Sequence, residues 1–268
     1  MKQKISLEEM KQIELELLKK IDKICKEANV QYYLAGGTLL GAVRHQGFIP
    51  WDDDIDLIMK RRDYEKLKEY MKNHEKKGIQ LLSYDITEGY YYPFMKIVDT
   101  TTVLIEHNVK PYSMGVYIDI FPIDGFPSNK FIGKLHFSKI MFYRKSLSMY
   151  QVPEFHTNMR YFKFLKKWWF QWSQKKGYKY LIQHIEKLAT KYEYEDSKLG
   201  GCVVHGYGLP EIVSTDSYKE TIYLPFEDEK FPCQKGYDEY LTGLYGDYMK
   251  LPPKEKQVTH HHYDLYRK

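Results

Sequence analysis

Hydrophobic and polar positions follow two periodicities along the chain, one typical of helices and one typical of strands. Ser6 followed by Glu9 is an N-cap pattern, and apolar residues then recur at helical spacing, which predicts a helix over 6–28. Similar patterns predict further helices over 38–45, 62–74 and 236–246. Short apolar or alternating runs predict strands over 31–35, 79–83, 93–98, 102–106, 115–120 and 221–224, and the segment after the last helix is predicted as a polar tail.

The second half of the chain has a different pattern, which is long, basic, aromatic and helical over 130–198, with a break near Pro153. We therefore predict an α/β (α+β) fold, with a mixed sheet flanked by helices and a helical insertion. The predicted parts are a catalytic core over 1–129, the basic aromatic insertion over 130–200 and a C-terminal part over 201–268 that completes the core.

Composition is that of a globular protein, with 43% hydrophobic and 29% charged residues among 268. The net charge of +5 is unevenly placed, because residues 160–180 hold seven Lys and Arg and no acid, whereas the rest of the chain carries −2. This distribution indicates a local anionic surface as partner better than it indicates nucleic acid, and no nucleic-acid partner is predicted. The 26 tyrosines suit either a carbohydrate-binding surface or a Tyr-rich core.

Three cysteines, Cys25, Cys202 and Cys233, are too few and too scattered for a disulfide framework, and we expect free thiols in a reducing compartment. The chain shows no secretory signal and no apolar window long enough to span a bilayer. A cytoplasmic location is therefore predicted.

The acidic run Asp52-Asp53-Asp54-Ile55-Asp56 places four carboxylates in five positions beside an apolar stretch. On a strand, Asp54 and Asp56 point to one face, about 7 Å apart, while Ile55 and the following Leu enter the core. Such carboxylates repel each other unless a hard cation lies between them, and magnesium suits a few carboxylates together with substrate phosphates. The alternative is a solvent-exposed acidic loop, which would not alternate acids with apolar residues.

A single acid, Asp119, lies in the apolar strand pattern of 115–121. A buried carboxylate is costly unless it is paired or bound to metal. Convergence of Asp54, Asp56 and Asp119 would form a two-metal site for phosphoryl transfer. The alternative for Asp119 is a hydrogen-bonded acid beside a turn over 122–125.

Gly36-Gly37-Thr38 lies at a predicted junction between a strand and a helix, where glycines permit close approach of a phosphate to the helix N-terminus. An ordinary tight turn is the alternative for two glycines. The Asp-Ile-Asp strand that follows sixteen to eighteen residues later favours the phosphate-binding interpretation.

Taken together, these motifs resemble the LicD family, whose members have a nucleotidyltransferase fold and are related to the fukutin-type transferases. The resemblance covers nearly the whole chain, is weakest over 130–200, and is carried by the following segments: LAGGTLLGAVRH at 34–45, GFIPWDDDID at 47–56, YPFMK at 92–96, YIDIFP at 117–122, YGDY at 245–248 and VTHH at 258–261.

The resemblance implies magnesium-dependent transfer of phosphocholine from CDP-choline to a hydroxyl of a cell-surface glycan, such as a teichoic acid or another polysaccharide precursor, free or lipid-linked. It implies three classes of site residue: metal-binding and catalytic carboxylates at Asp54, Asp56 and Asp119, with Asp53 as a supporting acid; a phosphate-holding turn at Gly36, Gly37 and Thr38; and cations near the donor phosphates at Arg44 and Lys96. Asp119 would accept the proton of the acceptor hydroxyl or bind a second metal.

Two other functions stay open. The same chemistry could use CDP-ribitol or CDP-glycerol as donor, as the fukutin-type relatives suggest, or the chain could be a non-catalytic scaffold of surface-polymer assembly. A choline donor favours an aromatic cage, for which Tyr90, Tyr91, Tyr92 and Tyr112 are candidates. One histidine of His260–His262 could contact the donor phosphate, or these residues could belong to a surface tail.

Residues 160–180 combine clustered Trp and Phe with flanking Lys, a composition found in helices that lie at a membrane interface. We therefore predict peripheral contact with the inner membrane face, where lipid-linked acceptors are built. The alternative is that the aromatic residues pack the helical insertion and the lysines face water.

Overall fold

The computed structural model describes residues 3–107, 110, 112–155, 163–259 and 263–268. The predicted α+β class is confirmed, since a curled mixed sheet is flanked by helices. The helices are α1 Leu7–Ala28, α2 Gly36–Arg44, α3 Arg61–Asn73, α4 Lys130–Gln151, α5 Lys163–Ala189 and α6 Tyr237–Tyr245, with short 3₁₀ helices at Leu209–Glu211, Thr215–Tyr218 and Lys254–Lys256. The strands are β1 Tyr33–Leu34, β2 Asp56–Lys60, β3 Ile79–Leu82, β4 Met95–Asp99, β5 Thr102–Glu106, β6 Ser113–Met114, β7 Tyr117–Phe126, β8 Leu199–Gly201, β9 Val213–Ser214, β10 Thr221–Phe226, β11 Glu229–Gln234 and β12 Tyr263–Arg267.

The main sheet has the strand order β1–β2–β7–β4–β3, and β8 and β9 extend it from the far end of β7. Strands β2 and β7 are parallel, whereas β1, β4, β3, β8 and β9 join their neighbours antiparallel. The parallel pair lies at the centre and brings two segments distant in sequence side by side. This pairing brings Asp56 next to Asp119.

Helix α1 covers the sheet with an apolar stripe that includes Leu18 and Ile21, both fully buried. Its N-terminus is capped as predicted, because the Ser6 side chain accepts a hydrogen bond from the Glu9 backbone N–H. The helix ends at Asn29, which adopts the left-handed conformation that favours Asn and Gly. Burial of this stripe fixes α1 behind the acidic run.

The insertion forms a hairpin of α4 and α5, in which α5 is kinked at Gly177, and the predicted helical character and break near Pro153 are confirmed. Trp169 is half-buried and stacks on Phe142, with ring centroids 5.6 Å apart, whereas Phe164 and Trp168 are exposed at 80% and 59%. Residues 160–162 of the predicted membrane segment lie outside the described residues. None of the described helices combines the length and apolar character that a membrane crossing needs.

Three sequence predictions were wrong in detail. The segment predicted as a polar tail contains β12, which pairs antiparallel with β5 in a separate three-stranded sheet. The strand predicted over 115–120 continues to Phe126, because its last residues pair with β8. Asp54 precedes β2 and does not lie on it, so the strand begins only at Asp56. The first two errors share a cause, since both segments are held as strands by pairing with distant residues.

Candidate active site

A row of three charged side chains crosses the centre of the sheet. Asp56 on β2 and Asp119 on β7 are register partners, and Asp119 is also the partner of Lys96 on β4. Register partners on neighbouring strands present their side chains on the same sheet face. The sheet therefore brings together Asp56, Asp119 and Lys96, which are up to 63 positions apart in sequence.

Lys96 is almost completely enclosed and belongs to this row. Its Nζ donates a hydrogen bond of 2.5 Å to Asp119 Oδ1, and its side chain is only 2% exposed. The Tyr117 ring lies 3.4 Å from Nζ, with Tyr92 and Phe94 slightly farther away. Lys96 does not line either of the cavities described below, so a direct contact with donor phosphates stays a prediction. The contact that the structure shows is with Asp119.

The carboxylates of the row repel one another. Desolvation, followed by the charges of Asp54 and Asp119, raises the pKa of Asp56 well above its usual value. Desolvation also raises the pKa of Asp119, to about 6, although Lys96 opposes the shift. A site that crowds acids in this way fits a divalent cation with oxygen ligands, which would relieve both the repulsion and the desolvation.

The acidic loop before β2 adds three more carboxylates. Asp52, Asp53 and Asp54 each offer an oxygen within 4.8 Å of the others. Asp53 is buried, and its carboxylate accepts a hydrogen bond of 3.0 Å from the Tyr263 hydroxyl on β12. Asp52 and Asp54 line the larger cavity, so Asp53 anchors the loop while its two neighbours face the opening.

A further acid, Glu14 on α1, lies beneath this loop and was missed by sequence reasoning. It is completely buried, and neither of its carboxylate oxygens has a hydrogen-bond partner among the described residues. Desolvation, followed by the charges of Asp54 and Asp53, raises the pKa of Glu14 well above its usual value. The hydrophobic periodicity of α1 did not predict the burial of Glu14, because a glutamate in a surface helix is usually exposed to solvent.

The glycine turn closes the site from the side of α2. Gly36 has φ +49° and Gly37 approaches Asp52 so closely that a Cβ on Gly37 would lie 2.3 Å from Asp52 Oδ2. The Thr38 hydroxyl accepts a hydrogen bond of 2.8 Å from the Asp56 backbone N–H. The absence of side chains at Gly36 and Gly37 therefore leaves space for the neighbouring carboxylates, and Thr38 fixes the start of β2. Phosphate binding by this turn stays a prediction.

Two cavities meet at these carboxylates. The larger has a volume of about 1030 Å³ and the smaller about 310 Å³. Asp54, Asp56 and Tyr207 line both, whereas Asp119 lines only the smaller one. Gly37 borders the larger cavity and Gly36 the smaller. The arrangement offers room for two substrates on either side of one acidic centre.

The larger cavity is lined by both basic and aromatic residues. Arg44 lines it, as predicted for a residue near the donor phosphates, and its guanidinium donates a 2.8 Å hydrogen bond to the Tyr248 carbonyl. Lys250 and Lys256 line it too and were not predicted. The aromatic lining consists of Trp51, Tyr207, Tyr245 and Tyr248, and Asp247 lies among them.

The aromatic cage predicted from Tyr90, Tyr91, Tyr92 and Tyr112 is wrong. These rings pack on one another, and Tyr90 and Tyr91 are buried. None of the four lines either cavity beside the acids. Their rings pack in the hydrophobic core, where Tyr92 also contacts Lys96, as the alternative of a Tyr-rich core predicts.

Further residues of the site come from the segment 202–211, which follows the helical hairpin. His205, Tyr207 and Glu211 line the smaller cavity together with Asp119. This segment has no regular periodicity, so sequence patterns alone gave no signal for it. His260–His262 lie outside the described residues.

Comparison with known proteins assigns the chain to a family. The family model described as "LicD/FKTN/FKRP, nucleotidyltransferase domain" matches residues 29–177, which is more than half of the chain and includes the glycine turn, the acidic run and Asp119. The chain belongs to this family.

Individual relatives within this LicD family extend the match. The chain is 30% identical to the lipopolysaccharide cholinephosphotransferase LicD of Haemophilus influenzae, over 98% of each chain. The ribitol 5-phosphate transferases FKRP of human and mouse are 56% identical over 34 residues, which are 13% of this chain and 7% of theirs. The resemblance inferred from the motifs is confirmed, and so is the assignment to the LicD-type phosphotransferase enzymes.

Proposed function

We propose that this LicD-family chain transfers phosphocholine from CDP-choline to a hydroxyl of a cell-surface glycan, with magnesium held at the carboxylate site. The observation that carries the proposal is the pairing of Asp56 with Asp119 between two cavities. The full-length similarity to a lipopolysaccharide cholinephosphotransferase supports the choice of phosphocholine. A lipopolysaccharide, a teichoic acid or another polysaccharide precursor fits as acceptor.

The larger cavity suits the donor. Arg44, Lys250 and Lys256 provide positive charge for a pyrophosphate, and the neighbouring helix α2 presents its N-terminus at Gly36 and Gly37. The rings of Tyr245 and Tyr248, with the carboxylate of Asp247, form a wall suited to a quaternary ammonium group. These residues replace the cage that the sequence suggested.

The carboxylates would hold the cation. Asp54, Asp56 and Asp119 are the proposed ligands, with Asp52 beside them, and bound magnesium would neutralise charge on the pyrophosphate and the leaving CMP. Arg44, Lys250 and Lys256 would orient the donor phosphates. Lys96 fixes the Asp119 carboxylate. Positioning and electrostatic stabilisation account for most of the rate enhancement in phosphoryl transfer.

A second donor class competes at the same cavity. The FKRP proteins named as ribitol 5-phosphate transferases share a highly similar 34-residue segment with this chain, so CDP-ribitol or CDP-glycerol are the alternatives. A polyol needs hydrogen bonds, whereas choline needs an aromatic wall. The aromatic lining of the larger cavity favours choline. A non-catalytic scaffold would not need two cavities at one acidic centre.

Calorimetry with CDP-choline, CDP-ribitol and CDP-glycerol in magnesium tests the donor. We expect CDP-choline to bind at least tenfold more tightly than the other two. The matched variants are Tyr245→Phe, which keeps the ring and its choline preference, and Tyr245→Leu, which loses the preference. Equal or tighter binding of CDP-ribitol would transfer the assignment to the alternative donor, and absence of CMP release with every donor would favour the scaffold.

We also propose peripheral membrane contact through the hairpin of α4 and α5. Phe164, Leu165 and Trp168 at the start of α5 are exposed, and Lys163 and Lys167 beside them are exposed as well. Each lysine near an anionic leaflet contributes roughly 1 kcal/mol, so binding should be sensitive to salt. Co-sedimentation with anionic vesicles at low and high salt tests this, with Trp168→Ser as variant and the half-buried Trp172→Phe as control. A protein that stays in the supernatant at low salt would refute membrane contact.

A further inference from the structure

The two cavities meet at a junction that Asp54, Asp56 and Tyr207 border, since these three of the described residues line both cavities. Asp54 and Asp56 belong to the proposed cation site. Tyr207 is 61% exposed, so its side chain is accessible to a substrate. A group that moves from one cavity to the other therefore passes two carboxylates and one phenol.

Tyr207 lies at the tip of a tight turn between two glycines. Gly206 and Gly208 have positive φ angles of +72° and +85°. A Cβ on Gly206 would collide with the Glu211 carboxylate, and a Cβ on Gly208 would lie 2.6 Å from Cζ of Phe137. Both positions therefore require glycine, and Tyr207 is the side chain that this turn presents to the junction.

The loop that carries Tyr207 is held from both sides. Arg144 on α4 donates a hydrogen bond of 2.8 Å to the Gly206 carbonyl. The Glu211 carboxylate accepts hydrogen bonds from the backbone N–H groups of Tyr207 and Gly208. These contacts fix the backbone before and after Tyr207, so its side chain is positioned before any substrate binds.

Tyr207 forms a phenol pair with Tyr245 on α6. The two hydroxyl oxygens are 3.3 Å apart, and the rings meet edge to face with centroids 5.8 Å apart. Desolvation raises the pKa of both phenols, so both keep their protons at neutral pH. One of the two protons forms the hydrogen bond between the hydroxyls, and the other is available to a further acceptor.

This pair lies beside the acidic centre. A Cβ on Gly36 would be 3.1 Å from Asp56 Oδ2 and 3.9 Å from the Tyr245 hydroxyl oxygen, so both atoms surround the same point above the glycine turn. A carboxylate repels an anionic phosphate oxygen unless a cation lies between them, whereas a protonated phenol donates a hydrogen bond to it directly. Among the three residues that border the junction, Tyr207 therefore provides the side-chain donor.

We propose that Tyr207 is a catalytic residue whose hydroxyl donates a hydrogen bond to a non-bridging phosphate oxygen of the phosphocholine group at the junction, and that Tyr245 orients this hydroxyl. This inference rests on the proposed function. Tyr207 forms no covalent bond and keeps its proton throughout. A donor in the larger cavity holds its phosphate on one side of the junction, so the hydrogen bond is strongest midway through transfer and raises the rate more than the donor affinity.

The test compares Tyr207→Phe with Tyr223→Phe, which removes the hydroxyl of a similarly exposed tyrosine that lines neither cavity. Phosphocholine transfer from CDP-choline to lipopolysaccharide or teichoic acid is measured with magnesium, and donor affinity is measured by calorimetry. We expect Tyr207→Phe to lose about 10- to 100-fold in kcat and to keep donor affinity within about twofold. Its melting temperature should not change, because Phe keeps the ring, and Tyr223→Phe should match the wild type.

Tyr245→Phe separates the roles of the two hydroxyls. This variant removes the partner that orients Tyr207 but leaves the donor in place, so its loss in kcat should be smaller than that of Tyr207→Phe. A larger loss in Tyr245→Phe would contradict the assignment of the donor to Tyr207.

Two further results would overturn the inference alone: an active wild type with Tyr207→Phe within threefold of it, or a Tyr207→Phe variant that loses donor affinity as much as rate. A wild type that releases no CMP from any CDP-linked donor would overturn the proposed function, and the inference with it.

Discussion

Asp56 and Asp119 are register partners on the two central parallel strands, and Asp119 in turn holds the Nζ of Lys96 at 2.5 Å. The two carboxylates therefore have different environments although they belong to one row. Asp56 is surrounded by acids, whereas Asp119 is paired with a buried cation. This asymmetry predicts opposite effects of two otherwise identical substitutions.

Asp56→Asn should abolish turnover and raise the melting temperature of the metal-free protein, because it removes a like charge from a crowded site. Asp119→Asn should also abolish turnover, but it should destabilise the protein by about 3 kcal/mol, since Lys96 stays buried without its ion-pair partner. Thermal denaturation in EDTA measures the melting temperatures of both variants. The expected destabilisation lowers the melting temperature of the Asp119 variant by roughly 5 to 10 °C. Asp54→Asn should resemble Asp56→Asn. Turnover within a few fold of wild type in any of the three would remove that carboxylate from the proposed centre.

Gly36→Ala should reduce activity far more than its effect on stability suggests. Gly36 has φ +49° and a Cβ there would lie 3.1 Å from Asp56 Oδ2, so the substitution strains the backbone and presses on the carboxylate. Gly78→Ala is the matched control, because Gly78 also has a positive φ, +81°, but nothing within 4 Å of its Cβ. Both variants should lose about 1 kcal/mol of stability through strain, and only Gly36→Ala should lose more than tenfold in kcat. Similar kcat values for the two variants would argue against a role of the glycine turn in placing Asp56.

Glu14→Gln should stabilise the metal-free protein by about 1 to 3 kcal/mol at neutral pH, because the buried wild-type carboxyl must take up a proton on folding, whereas the neutral Gln amide does not titrate. The raised pKa fixes the sign of the pH dependence. The folded protein keeps Glu14 protonated while the unfolded chain ionises it, so the wild type loses stability as pH rises above the usual glutamate range. The advantage of the variant should vanish at low pH and grow with pH. Urea denaturation between pH 4 and pH 8 tests this, with the exposed Glu16→Gln as control; a difference that does not depend on pH would show that Glu14 is ionised in the folded state.

Local sequence patterns were sufficient to predict the site residues that lie within a regular strand pattern. Alternation around Asp56 and the isolated acid in an apolar strand at Asp119 both predicted carboxylates on a sheet, and the structure pairs them. The same patterns could not show that Lys96 joins this row, because a register between β4 and β7 is a property of the folded sheet.

Other features depend on contacts between distant segments. Tyr263 on β12 holds Asp53 across 210 positions, and Arg144 holds the Tyr207 loop from a helix of the insertion. Residues that act through such contacts carry no local signal. The prediction of a tyrosine cage was wrong because composition identifies aromatic residues but does not distinguish those in a core from those in a cavity wall.

The central claim is that the carboxylate row beside the larger cavity performs metal-dependent transfer from CDP-choline. The most direct measurement is CMP release from CDP-choline in the presence of acceptor, compared between wild type with magnesium, wild type with EDTA and Asp56→Asn with magnesium. We predict turnover in the first sample and a loss of at least 1,000-fold in the other two, while calorimetry shows that Asp56→Asn remains folded. CMP release that persists in EDTA or in Asp56→Asn would contradict the account.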